Sequence, residues 1–293
     1  MMKLGTWLSA AVIVVGTAFG ASAKTVNDTS NVVFIVDESG SMSGEHNFLK
    51  DVVTSLDSAL AAAGVTTRSY GVVGFGASFS NPGSPRTLTD FVSAEDAKTA
   101  MSGLRLNGGT EDGYTGINHA LDNLSYASGA AINYVLVTDE DRDNVDNALT
   151  YGSVYKDLAD RKILLNAVVN ARYNSDGGYA LGIDSTGEAY VADGSGGFTR
   201  STGGVAVSGS GSTISNYVQL ALDTGGAAWD LNQLRAGGNT AMSFTQAFLD
   251  IKVEEITTQP TDPSPVPVPA AFPLLLGGLG VMGAIGRRRR KNG

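Results

Sequence analysis

The chain has 293 residues, 42% of them hydrophobic, which is enough apolar matter for a sizeable core and too much for a wholly disordered polymer. Cysteine is absent and histidine occurs twice, excluding disulfide scaffolds, thiol nucleophiles, iron–sulfur centres and Cys/His zinc sites and leaving oxygen ligands as the means of holding a metal. The formal charge is −9, but Lys24 to Thr258 alone carries 14 basic against 28 acidic residues, a balance that repels a phosphate backbone and argues against nucleic acid as a partner.

Residues 1–23 hold one Lys, an apolar run from Leu8 to Phe19 and then Ala21-Ser22-Ala23, the small-x-small pattern that signal peptidase cleaves. They read as a signal peptide, so the chain is expected to be exported. The alternative, an uncleaved anchor, would have to work with a run shorter than the ~20 residues that span a bilayer. Val32 to Val36 is continuously apolar, as a strand covered on both faces of a parallel sheet should be, and Tyr70 to Phe75, Tyr134 to Thr138 and Ile163 to Val169 repeat the pattern. Between them, Phe48 to Ala63 places Leu49, Val52, Val53, Leu56 and Leu60 on one helical face. Further helices are expected over Ala94 to Leu104, Tyr114 to Leu124 and Val145 to Arg161, with a short antiparallel edge strand at Thr87 to Val92. Ala171 to Gly211 breaks this rhythm. It is rich in Gly and Ser, with β-like pieces at Glu188 to Ala192 and Gly204 to Val207, and reads as a loop or hairpin insertion. A helix over Ile214 to Leu222, a strand over Ala227 to Leu231 and a closing helix from Thr240 to Ile256 then resume the alternation. Residues 31–258 are thus expected to form one α/β domain: a doubly wound, Rossmann-like, mostly parallel sheet with helices on both faces and an insertion at 171–211.

Residues 259–269, QPTDPSPVPVP, contain five prolines and read as an extended linker. Residues 270–286 are apolar throughout, and residues 287–291 are all Arg or Lys, as the positive-inside rule expects of a cytoplasmic flank. This three-part layout over 266–293 resembles the PEP-CTERM class of bacterial sorting tails, with Val266-Pro267-Val268-Pro269-Ala270 similar to the V-P-x-P-A variant. Val268 stands where the commoner motif has glutamate. The resemblance implies an exosortase-type sorting enzyme as a partner. It also implies anchoring by the 270–286 helix before processing, and a domain at the cell surface or released outside a bacterium afterwards. A plain C-terminal anchor is the alternative.

The chemistry gathers where strands end. After the first strand, Asp37, Ser39 and Ser41 offer a carboxylate and two hydroxyls at alternate positions, at the sheet edge where doubly wound folds bind ligands. Such oxygens suit Mg²⁺, Mn²⁺ or Ca²⁺. Ser and Asp before a helix are also ordinary caps and turn residues, so this segment alone leaves both readings open. Gly108-Gly109-Thr110 brings a third hydroxyl before the Tyr114 helix, and Asp139 closes the strand Tyr134 to Thr138.

Together, VVFIVDESGSM, NGGTEDGYTGINHAL and YVLVTDED resemble the von Willebrand factor A (vWA) domain and its metal-ion-dependent adhesion site (MIDAS), and LALDTGGAAWDL resembles the family's penultimate helix and strand. The resemblance implies direct hydroxyl ligation by Ser39 and Ser41, with Thr110 joining in the ligand-bound state. Asp37 and Asp139 would bind directly or through water, with Mg²⁺ as the expected cation and Ca²⁺ or Mn²⁺ as alternatives. A partner's Asp or Glu carboxylate would displace a water, so binding rather than catalysis is implied. The function expected on this basis is cation-dependent adhesion to a protein partner. The runner-up is a structural component of extracellular matrix or biofilm in which the metal mainly stabilises the fold.

The residue after the metal aspartate, commonly Gly in that family, is Glu140 here. With Asp141, Glu111 and Asp112 it suggests an acidic rim that favours a partner whose acid sits among Lys or Arg; plain solvated loop charges are the alternative. Asp139, Asp141 and Asp143 also have the spacing of a second cation loop, but Asn144 and Thr150 occupy the positions where an EF-hand needs Gly and Glu. For an enzyme, Ser39, His46 and Asp139 are the only tempting nucleophile, base and acid; His46 and His119 read instead as surface or packing residues. Neither a G-x-S-x-G elbow nor a phosphate-cradling G-x-x-x-x-G-K-[ST] loop is present, and the chain is read as a non-enzyme.

Overall fold

A computed structural model describes residues 26–76 and 83–261. The signal segment 1–23, the apolar stretch 270–286 and the basic tail 287–291 lie outside these residues, as does most of the proline-rich linker. Among the described residues, no helix is long and apolar enough to cross a membrane.

The apolar runs form the centre of a nine-stranded sheet. Strands β1 (Thr29–Asp37), β2 (Thr67–Phe75), β4 (Ala131–Thr138), β5 (Leu164–Val169) and β12 (Ala227–Asp230) lie parallel in the order β12-β5-β4-β1-β2, and β3 (Arg86–Val92) pairs antiparallel with β2 at the edge. Because side chains alternate across a strand, β1 serves two cores. Val32, Phe34 and Val36 face α1 (Ser43–Ala62), α2 (Ala94–Met101) and α7 (Gly238–Thr258). Val33 and Ile35 face α3 (Gly113–Asn123), α4 (Tyr151–Asp160) and α5 (Gln219–Asp223). Both faces are covered, which is why the parallel strands read as unbroken apolar runs rather than alternating ones. The chain leaves β1 toward β2 on one side and β4 toward β5 on the other, so the switch in winding lies between the carboxyl ends of β1 and β4.

One expectation is corrected and another is extended. The helix expected from Val145 begins only at Tyr151, because the Thr150 hydroxyl caps it by accepting from the Ser153 N–H. Residues 145–150 instead form turns, with Val145 N–H given to Asp112 and Ala148 N–H to Asp146. The segment 171–211, expected as a loop or hairpin insertion with two β-like pieces, holds six short strands, two of which coincide with those pieces. Here β8 (Gly182–Asp184), β9 (Ala189–Ala192) and β10 (Phe198–Ser201) extend the main sheet antiparallel beyond β12. Strands β6 (Ala171–Ser175), β7 (Gly178–Ala180) and β11 (Val205–Gly209) form a separate three-stranded sheet. The turns between β8 and β9 and between β9 and β10 are closed by carboxylates: Asp184 Oδ1 accepts from the N–H groups of Thr186 and Glu188, and Asp193 Oδ1 from those of Ser195 and Gly197. The extension is packed into the core, since Tyr190 of β9 stacks on Trp229 of β12 at 5.3 Å between centroids. Trp229 in turn meets Phe244 and Phe248 of α7 edge-on at 5.8 and 5.4 Å.

Candidate metal-binding site

Three loops converge at the carboxyl edge of β1 and β4. The backbone beyond β1 is tied on both sides: Glu38 N–H donates to Phe75 O, Gly108 N–H donates to Glu38 O at 2.8 Å, and Ser39 bridges Gly108 in parallel fashion. Glycine at 108 suits this approach, because a Cβ there would lie 3.0 Å from the carbonyl oxygens of both Glu38 and Gly76, tighter than an ordinary contact. The fully buried Glu38 carboxylate holds the same loop from beneath, pairing with Arg86 and accepting the Arg105 N–H at 2.8 Å.

Asp37 is fully buried, with Oδ1 accepting the Ser39 N–H at 2.7 Å and Oδ2 accepting the Thr138 hydroxyl at 2.6 Å. Burial lifts its pKa from 3.8 to about 6, with Asp139 adding to the rise, against the opposing pull of the Thr138 and Ser39 hydrogen bonds. Ser39 Oγ lies 3.0 Å from Ser41 Oγ, and the Ser41 hydroxyl donates to Asp139 Oδ1 at 3.0 Å. Thr110 is half-buried, two residues beyond the bridged Gly108; among the described residues no hydrogen bond joins it to the other four.

This set of hydroxyl and carboxylate oxygens fits a hard divalent cation. Adjacent oxygens of an octahedron with metal–oxygen distances of ~2.1 Å are roughly 3.0 Å apart, whereas Ca²⁺ at ~2.4 Å sets them nearer 3.4 Å. The two 3.0 Å spacings from Ser39 to Ser41 to Asp139 are those of O–H···O hydrogen bonds and bring the three oxygens within reach of one hard divalent ion, whichever of the two it is. Hydroxyls carry much of the set, since among the described residues no group of three His, Asp or Glu side chains is placed to hold a metal.

An arginine that no sequence pattern pointed to closes one side. Arg235, from α6 (Leu231–Arg235), donates through Nη2 to Asp139 Oδ2 at 2.8 Å and through Nε to Glu45 Oε1 at 2.6 Å. Its positive charge therefore already sits on one carboxylate of the candidate site. Only the long chain separation between Arg235 and Asp139, with no repeat or spacing to link them, kept it out of sight.

The acidic residues divide by role. Glu140 is exposed. Glu111 is buried, and its pKa is raised to about 7 by burial and then by Asp37, Asp143, Glu140 and Asp139, which places its carboxyl in the field of the site. Asp112 does not join the rim. It caps α3 by accepting the Tyr114 N–H, and its two oxygens take Arg142 Nε at 2.8 Å, Arg142 Nη2 at 3.2 Å and the Val145 N–H at 2.9 Å, all in a buried pair. Asp141 turns away to Ser212, accepting its N–H and hydroxyl at 2.9 and 3.2 Å. Asp143 accepts the Glu111 N–H at 2.7 Å. The carboxylates of Asp139, Asp141 and Asp143 thus go to different partners and are not brought together as a second cation loop. Nor does His46 reach Ser39: it is buried, its Nε2 lies 2.8 Å from the Asp37 carbonyl oxygen, and burial lowers its pKa.

Comparison with known proteins gives one family and several solved structures. Among the solved structures similar to this chain is proximal thread matrix protein 1 from the mussel byssus, at 16% identity and a TM-score of 0.38 over 50% of this chain and 37% of that one. A structure of the same protein with a zinc-occupied MIDAS motif matches at 18% identity and a TM-score of 0.39, over 50% and 39% of the two chains. The SpRpn10 VWA domain matches at 16% identity and 0.36, over 48% of this chain and 75% of that one. The chain spans about two-fifths of the length of the mussel protein. No curated protein matches. The family profile of the von Willebrand factor type A domain matches residues 31–179, just over half of the sequence and the stretch that carries all three loops of the site. With that match and the doubly wound sheet, the chain belongs to the von Willebrand factor type A domain family.

Proposed function

We propose that this chain is an exported binding protein that takes up a protein partner through a divalent cation, Mg²⁺ in the first instance, at Asp37, Ser39, Ser41, Thr110 and Asp139. The observation that carries this reading is the row of oxygens from Ser39 Oγ through Ser41 Oγ to Asp139 Oδ1, each 3.0 Å from the next, above the buried Asp37 carboxylate. The serine hydroxyls supply neutral oxygens, so a bound divalent ion keeps part of its charge for an incoming Asp or Glu carboxylate. Exposed Glu140 and the Glu111 carboxyl add negative potential beside it and favour a partner whose acid is surrounded by Lys or Arg. The tail over 266–293 supports sorting to the cell surface or beyond by an exosortase-type enzyme, with the 270–286 segment as the anchor before processing.

The test is capture from the producing cells' culture matrix in Mg²⁺ and in EDTA, using the chain and an Asp37→Ala variant. Recovery of one defined protein by the unaltered chain in Mg²⁺ alone is expected. Recovery that ignores EDTA and Asp37→Ala would overturn cation-mediated recognition and leave the matrix-component reading.

A further inference from the structure

At the opposite end of the sheet, away from the candidate metal site, α7 drives a lysine into the core. Lys252 is completely buried, and its Nζ donates to the Asn133 side-chain oxygen of β4 at 2.7 Å and pairs with the Glu255 carboxylate one turn along the same helix. Both amide groups are held: Asn133 Nδ2 donates to Gln259 Oε1 at 2.6 Å, while Asn166 Nδ2 donates to Glu255 Oε2 at 2.9 Å. Asn133 is likewise fully buried. An amine and a carboxamide are therefore held together out of water, with a carboxyl group at the partly exposed margin of the pair. We propose that Lys252 and Asn133 form an intramolecular isopeptide bond, with Glu255 as the proton carrier.

The chemistry balances without any further reagent. Nζ gives one proton to the Glu255 carboxylate and attacks Cγ of Asn133. The Glu255 acid protonates Nδ2, the Cγ–Nδ2 bond breaks and ammonia leaves. Glu255 takes the second proton that Nζ sheds as the new Nζ–Cγ amide forms. Burial supplies the nucleophile, because it lowers the lysine pKa against the pull of Glu255 and so favours the neutral amine. Fixed contact supplies the rest, since groups held in contact react as if at very high concentration. The choice of residue at 133 also matters. A carboxylate there would pair better with a buried ammonium, whereas an amide carries a nitrogen that can depart. The bond would tie the central strand β4 to the last helix across 119 residues of a chain that has no cysteine.

The experiment is mass spectrometry of the purified, denatured chain, with Lys252→Met and Glu255→Gln variants prepared alongside. The expected result is a mass one ammonia below that of the sequence between the observed termini, together with a branched tryptic peptide joining Lys252 to Asn133. Both features should be lost in Lys252→Met and absent or strongly reduced in Glu255→Gln. Recovery of Asn133 intact in a linear peptide, with trypsin cutting after Lys252, overturns the proposal whether or not either variant folds. An ammonia deficit confined to one linear peptide, or one that persists in Lys252→Met, overturns it equally.

Discussion

Asp37→Asn removes the charge from the most deeply buried carboxylate of the candidate site while keeping its shape. Asn can still accept the Ser39 N–H through its oxygen, and the Thr138 hydroxyl can turn to accept from the new amide. In the metal-free protein the Asp37 pKa lies at about 6 against 3.8 for the free group. The folded state therefore binds a proton that the unfolded chain releases. The stability that Asp37 contributes is complete below 3.8, falls as pH rises, and is lost above about 6. At ~1.36 kcal/mol per pH unit, that interval amounts to about 3 kcal/mol. Urea unfolding in EDTA should thus find the variant gaining on the unaltered chain by about 3 kcal/mol between about pH 4 and pH 8, ending as the more stable of the two. Mg²⁺ should reverse that order at the higher pH, since the ionised aspartate offers the cation a negative charge that the neutral amide lacks. A stability difference that stays constant with pH would refute the reasoning, because it would show that Asp37 is not held protonated by burial.

Arg235→Gln should raise Mg²⁺ affinity: a guanidinium on the order of 6 Å from a divalent ion, at a near-aqueous dielectric, repels it by about 1.4 kcal/mol, or tenfold in Kd. Titration calorimetry measures it, and a weaker affinity would mean that Arg235 holds Asp139 in place for the metal rather than competing with it. Asp112→Asn keeps a good helix cap but leaves Arg142 buried without its counter-ion, at a cost of about 3–5 kcal/mol. A urea midpoint shifted by less than 1 kcal/mol's worth (about the value of an exposed pair) would show that Arg142 finds another acceptor.

Much of the fold was legible because burial on both faces writes itself into the chain. The run Val32 to Val36 can only be a covered strand, and the hydroxyls that follow it must then lie at the carboxyl edge. The insertion was legible only in part, two of its six strands, for the converse reason. Its strands are three to five residues long and many of their side chains are exposed, so length and periodicity do not separate the other four from loop. Strand β9 joins the sheet by pairing with β8 and β10 and is fixed to the core by the packing of Tyr190 on Trp229, and none of these contacts has a local signature.

The same distinction governs the charges. Adjacent residues Glu111 and Asp112 look alike in sequence, yet one carboxyl lies in the field of the site and the other is spent on Arg142 and a helix cap. What decides between them is the direction of the chain as it enters α3: a cap must point back along the helix axis, toward its own free N–H groups, so the residue at that position is withdrawn from the rim. Sequence patterns can name the residue types at the mouth of a doubly wound sheet. Which of them faces a ligand depends on which are already claimed by helix ends and by arginines arriving from distant elements, and Arg235 on Asp139 is such a claim within the candidate site itself. On the proposed reading, a partner acid arriving at a bound cation would therefore meet a surface whose charge is part acidic rim and part internal arginine, and the balance between Glu140 and Arg235 would set how strongly a basic surround on that partner is favoured.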